Sequence, residues 1–280
     1  MPVSETAKLD LPRLAMSELT TLRWSFERDL REFQSAGFGS IGVWRTKISD
    51  YDEDEGAKLL ADSNLSVSSL AWTGGFTGSE GRTHEESITD AKEAIRLAAR
   101  LGTDCLIVYA GGRGGHTNNH AYRLLRTALD ELVPIAEDFE VTLAFEPMHP
   151  GCATDWTFLT SIEQVITLIH DVGSHRIGAV FDAYHAGMDL STRSRFAEIA
   201  PYLKLVQLAD GRGRPRGDQN RLPIGKGEIP LREIVSRLGE AGYDGFYEFE
   251  LFGEDIEPNH YCCLLESSIA AFEGLFSNAH

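Results

Sequence analysis

Residues 141–149 read VTLAFEPMH, an apolar strand that ends on a carboxylate, Glu146. Three later stretches repeat the design: IGAVFDAYH at 177–185 with Asp182, LKLVQLADG at 203–211 with Gln207 and Asp210, and GFYEFELFG at 245–253 with Glu248 and Glu250. Each is a short, apolar, mostly β-branched or aromatic run that delivers a ligand-type residue at its C-terminal end. One Asp or Glu in such a place only caps a helix or opens a turn. Four in succession point to a parallel barrel whose strand tips gather at one face.

Working outward, the rest of the chain alternates in the same way. Strands are expected at 13–22, 40–45, 65–72, 104–111, 141–149, 177–182, 203–208 and 245–252. Helices are expected from 26 to Gly37, over 53–64 and 85–101, through 137, over 161–171, around 195–200, over 231–241, and over about 260–275. Eight strand-plus-helix units with right-handed crossovers make a single (β/α)₈ TIM barrel over 1–280, parallel and eight-stranded. No dinucleotide glycine fingerprint follows the first strand, which argues against an open doubly wound sheet. The glycine-rich segments TGGFTGSEGRTHEES and GGRGGHTNNH read as active-face loops, and the second lacks the Lys-Ser/Thr ending of a phosphate loop.

The 280 residues carry 43 acidic and 26 basic side chains, a formal charge of −17, so the overall field repels nucleic acid and anionic membrane. One basic run stands apart, GRGRPRG at 211–217. No apolar stretch reaches the roughly 18 residues of a membrane span, and MPVSETAKLD has no apolar signal region, so a cytoplasmic protein is expected. Cys105, Cys152, Cys262 and Cys263 fit neither a disulfide framework nor a structural zinc site and read as reduced thiols.

Glu146, Asp182, Gln207 and Glu250 would offer carboxylates and one amide oxygen around a point above the barrel. Glu250 lies nearer the strand end than Glu248, which reads as its interior partner. This hard, oxygen-rich set favours one divalent ion, Mn²⁺ or Mg²⁺, with Co²⁺ and Zn²⁺ as lesser candidates. Without a cation, carboxylates brought this close repel and take up protons. His149 is a further candidate for touching substrate, and Trp44, Trp72 and Trp156 sit near strand ends, where rings suit the apolar face of a sugar.

The order of motifs, AFEPMHP, FDAYH, the seventh-strand polar residue, IGKGEIPL and YEFELFG, resembles the xylose-isomerase-like TIM barrel superfamily. Within it the chain looks closest to the inosose isomerases and ketose 3-epimerases. The resemblance implies that Glu146, Asp182, Gln207 and Glu250 hold the metal, that Glu146 and Glu250 are the acid/base residues, and that His185 and Arg221 contact substrate oxygens. It also implies a small sugar or cyclitol substrate and, as a family-level expectation, a homo-oligomer. Most relatives carry His where this chain has Gln207, a weaker, uncharged ligand that Asp210 could supplement. Ketose 3-epimerases carry a second Glu where this chain has Cys152, which speaks against free-ketose epimerisation.

The implied chemistry is proton abstraction beside a carbonyl, with a Lewis acid stabilising the ene-diolate. Proton return to the same carbon epimerises, return to the neighbour isomerises, and loss of a β-hydroxyl dehydrates. The expected function is therefore a metal-dependent sugar isomerase or epimerase. The alternatives are a lyase dehydrating an inosose or keto-glycoside, a non-catalytic sugar-binding barrel, and an endonuclease IV-like nuclease. The nuclease is opposed by the charge and by Arg221, Pro223 and Gln219 at the loop's ligand positions.

Overall fold

In the computed structural model, residues 13–79, 81–257 and 259–276 are described. The N-terminal decapeptide lies outside them. The described chain closes a parallel barrel in the order β1 to β8, each strand beside its sequence neighbours and β1 pairing β8. The strands are β1 (Leu14–Ser17), β2 (Ser40–Trp44), β3 (Ser66–Gly74), β4 (Cys105–Tyr109), β5 (Thr142–Phe145), β6 (Ile177–Asp182), β7 (Leu203–Leu208) and β8 (Phe246–Phe249). β1, β4, β5 and β6 are buried at every residue, as strands covered on both sides must be, which is why they read as continuous apolar runs.

The helices are α1 (Phe26–Ala36), α2 (Arg45–Tyr51), α3 (Glu53–Ala61), α4 (His84–Arg100), α5 (Asn118–Asp138), α6 (Ile162–Val172), α7 (Ala183–Ala186), α8 (Leu190–Arg193), α9 (Phe196–Ile199), α10 (Leu231–Glu240) and α11 (Tyr261–Phe276). Their starts follow local chemistry. Thr83 and Glu86 form a reciprocal capping box on α4, and Thr117 and Ser161 accept backbone N–H bonds at the starts of α5 and α6.

Several boundaries differ from the sequence expectation, and β4 ends at Tyr109 and β8 at Phe249, short of 111 and 252. The first strand stops at Ser17, whose hydroxyl accepts the Leu19 N–H and turns the chain into a 3₁₀ segment over Glu18–Thr21. Arg45 opens α2 instead of closing β2, a helix with little periodic signal because Lys47 and Ile48 alone are buried in it. β5 ends at Phe145, so Glu146 lies just beyond the ladder. The helix expected around 195–200 resolves into the short turns α8 and α9 followed by a 3₁₀ turn.

Alternation along the strands fixes what fills the barrel. Cys105, Ile107 and Tyr109 of β4 pack with Ala144, Val180 and Leu205 as one interior cluster. Gly42 of β2 is required there, because a Cβ would stand 2.5 Å from the Glu248 carboxylate. Gly74 closes β3 with φ +145, and a Cβ on it would lie 1.8 Å from the Tyr109 carbonyl oxygen.

Candidate active site

Counting by two from the interior cluster reaches the site. Ala144 leads to Glu146, Val180 to Asp182, Leu205 to Gln207, and Phe246 to Glu248 and then Glu250. Register sets them side by side: Asp182 pairs with Gln207 across β6 and β7, and Gln207 with Glu248 across β7 and β8. Backbone bonds from Glu146 N to Val108 O (3.2 Å) and from Glu250 N to Leu208 O (3.3 Å) carry the ladder to those two tips. All five side chains are buried.

Glu146 Oε2 accepts the Tyr109 hydroxyl at 2.9 Å. His185, one turn beyond Asp182, places Nε2 3.7 Å from Glu146 Oε1 and 3.6 Å from Asp182 Oδ2. Arg221 donates to Asp182 Oδ2 at 2.6 Å and lies 3.1 Å from Glu250 Oε1. Its guanidinium is 1% exposed and sits 4.0 Å from the Phe252 ring centroid and 4.8 Å from that of Tyr184. Gln207 Nε2 donates to Glu250 Oε2 at 2.6 Å and reaches Glu248 Oε1 at 3.5 Å. Below them, Ser68 and Ser69 both donate to Glu248 Oε2 at 2.7 Å.

The electrostatics follow from crowding acids in a dry place. Burial pushes Glu146 well above the usual carboxylate range, with the charges of Glu250 and Asp182 adding and Arg221 opposing. Burial likewise pushes Glu250 up to about 8. Burial lowers His185 to about 4, against the pull of Asp182, so its ring is neutral and free to accept. The Tyr109 phenol is raised by burial and by Glu146 and Glu250, and stays a donor.

Glu146, Asp182 and His185 present ligand atoms within 4.8 Å of one another, a spacing that suits one cation. Among the described residues, Glu146 Oε1, Gln207 Oε1 and both His185 ring nitrogens are buried without a hydrogen-bond partner. The two oxygens and whichever nitrogen of the neutral imidazole lacks a proton are open buried acceptors, and they fit a divalent ion.

The structure brings Glu146, Asp182, Gln207, Glu250, His185 and Arg221 together. Gln207 meets Glu250 through its amide nitrogen, leaving the carbonyl oxygen open. His149 is half-buried, accepts the Gly151 N–H at 3.0 Å and shapes its own turn. Trp44 lines a neighbouring cavity, while Trp72 and Trp156 line the pocket beside Glu250. Asp210 does not supplement the ligand set: its oxygens accept the N–H groups of Gly211, Gly225, Gly227 and Ile229 and hold the loop that carries Arg221. The Cys152 thiol donates to Arg216 O, and all the described cysteines are free. Sequence reasoning misses Tyr109, although it occupies the C-terminal inward position of β4 just as Asp182 does on β6.

Over the acids lies a cavity of about 170 Å³ lined by Trp72, Tyr109, Met148, Trp156, Glu250 and Phe252, among others. The rings of Trp72, Tyr109 and Trp156 meet edge to face with centroids 5.4–5.7 Å apart, a rigid apolar wall beside the carboxylates.

With this barrel and site, the chain belongs to the xylose isomerase-like TIM barrel family, which it matches over residues 30–265. Among curated relatives, it is 25% identical over 273 residues to an inosose isomerase of Bacillus velezensis, covering 92% of this chain and 93% of that one. It is 24% identical over 247 residues to a fructoselysine 3-epimerase of Shigella flexneri, covering 82% and 86%. Among solved structures, a Sinorhizobium meliloti 1021 protein superposes with a TM-score of 0.86 at 23% identity, covering 95% of this chain and 99% of that one. The IolI protein with a bound zinc atom superposes with a TM-score of 0.81 at 21% identity, covering 94% and 98%.

Proposed function

We propose that this chain is a divalent-metal-dependent isomerase or epimerase of a small keto-sugar or cyclitol. The observation that carries the reading is the convergence of Glu146, Asp182 and His185, with open buried acceptors, beside a pocket walled by aromatic rings. Those three residues would hold the ion, and Gln207 and Glu250, joined by their 2.6 Å hydrogen bond, complete the donor set to which the sequence points. When bound, the ion supplies Lewis-acid polarisation of a substrate carbonyl.

Glu146 and Glu250 are the proton carriers. Burial raises both above an ordinary carboxylate, toward the working pH at which a general acid or base is most effective. Tyr109 fixes one oxygen of Glu146 and leaves the other open, so the base keeps a single orientation. Arg221 binds Asp182 and Glu250 and places positive charge where oxygen charge develops as a C–H proton leaves. Proton return to the same carbon inverts it, and return to the next carbon moves the carbonyl. The named relatives are isomerases and epimerases, which favours proton return over loss of a β-hydroxyl.

The test is elemental analysis of purified chain, with and without Mn²⁺ and Mg²⁺ supplementation, together with deuterium exchange from D₂O into a panel of keto-sugars and inososes. Stoichiometric divalent metal and deuterium beside a substrate carbonyl support the reading. Metal-free protein after supplementation, with no exchange, overturns it.

A further inference from the structure

We propose that a second cavity, between the tips of β2 and β3, receives an anionic substituent of the substrate, a phosphate or a carboxylate carried at the end remote from the reacting carbon. The proposal rests on the isomerase or epimerase reading above. The cavity measures about 360 Å³ and shares one wall with the catalytic pocket, the indole of Trp72. Trp44 lines it as well, so the end of a substrate that reaches across Trp72 meets aromatic surface.

Its polar end is built from two guanidiniums. Arg45, at the start of α2, reaches Asp90 Oδ2 at 2.8 Å, and Arg82, in the loop before α4, reaches the same oxygen at 3.1 Å. The Thr73 hydroxyl donates to it too, at 3.0 Å. One carboxylate oxygen thus faces three donors, while each guanidinium carries five N–H groups in a planar fork. Among the described residues, neither arginine pairs with any other acid within 4.0 Å. Asp50 also lines the cavity; it is exposed, as is Arg82, so water and salt screen both, whereas Arg45 is largely covered. A tie between β2 and α4 would need only Arg45. The second arginine leaves spare donors on two side chains that line the cavity, and bidentate recognition of a phosphate or carboxylate is what arginine does best.

Inorganic phosphate and acetate are the binding probes, titrated into the full chain by calorimetry and by tryptophan fluorescence. Saturable binding of at least one is expected. It should weaken about tenfold in Arg45→Gln and Arg82→Gln, the weight of a lost charge-assisted contact, and tighten in Asp90→Asn, which removes the competing carboxylate. A merely structural ion pair would not tighten anything on losing Asp90. In the exchange assay, a keto-hexose is compared with its 6-phosphate and with the corresponding hexulosonate. A lower KM for one anionic form identifies the anion, and Arg82→Gln should abolish that advantage while leaving kcat for the uncharged sugar unchanged. No saturable binding of either probe, or binding indifferent to both arginines, overturns the anion site. Arginine-dependent binding without exchange on any sugar would instead sink the isomerase or epimerase reading and leave the anion site standing.

Discussion

Two buried charge clusters sit at the same end of this barrel, and they differ in how completely their hydrogen bonds are used. At the tips of β1 and β2, Glu18, Asp29 and Lys47 are nearly inaccessible, like Glu146, Asp182, Glu250 and Arg221 at the tips of β5 to β8. In the first cluster the Lys47 ammonium spends its donors on Glu18 O, Thr21 O and Asp29 Oδ2. Asp29 Oδ1 takes the Thr21 hydroxyl at 2.8 Å, and Glu18 Oε2 takes the Trp44 N–H at 2.8 Å. Only Glu18 Oε1 is left over, 3.8 Å from Lys47. The second cluster leaves Glu146 Oε1, Gln207 Oε1, Arg221 Nε and both His185 nitrogens open. A cluster that holds a fold together closes on itself, whereas one that meets a ligand keeps capacity in reserve.

The largest effect that separates the two is on catalysis. Glu146→Gln is expected to lower deuterium exchange by about 10²–10⁴-fold, the usual weight of a general acid or base. Its stability in urea should match the wild type or exceed it, because an under-compensated buried carboxylate disappears. Loss of several kcal/mol in that variant would place Glu146 among the fold-holding groups and erase the contrast. The reverse pattern is expected on the other side. Lys47→Met strips the cation from the buried Asp29 carboxylate and should cost about 3–5 kcal/mol of stability, read as a lowered urea midpoint. Because Lys47 lies outside the catalytic pocket, exchange measured well below the melting temperature should be little changed.

The site cluster is more legible in the sequence than the structural one, for a physical reason. Residues 177–182 and 203–208 have the observed bounds of β6 and β7, and a two-residue period carries Val180 to Asp182 and Leu205 to Gln207 without any long-range knowledge. Tyr109 obeys the same period, and applying it to β4 finds that residue too. Glu18 is out of its reach, because Ser17 turns the chain out of the strand before Glu18, and its partners lie eleven and twenty-nine residues on, in α1 and α2. Arg221 is singled out by motif, yet nothing local distinguishes it from Arg212, Arg214 and Arg216. Its burial against Asp182, 39 residues away, depends on the loop that Asp210 ties down.

The smallest effect tests whether the β1–β2 cluster is as closed as its geometry implies. Burial raises Glu18 well above 4.5, with Asp29 adding to the rise and Lys47 opposing it. The folded chain therefore keeps a proton on Glu18 that the unfolded chain releases above about pH 4.5. The stability associated with that proton is fully present below pH 4.5 and is lost as pH rises through the folded value. Glu18→Gln mimics the protonated side chain at every pH, still accepts the Trp44 N–H, and leaves the Asp29–Lys47 pair in place. The variant and wild type should then be equally stable near pH 4, with the variant the more stable of the two at pH 8. Urea titrations at a series of pH values measure the difference. If the variant is instead the less stable protein at pH 8, Glu18 is ionised in the fold and Lys47 serves both acids. The open Oε1 would then mark a loosely held ion pair, and the two clusters would differ only in how many acids surround their cation.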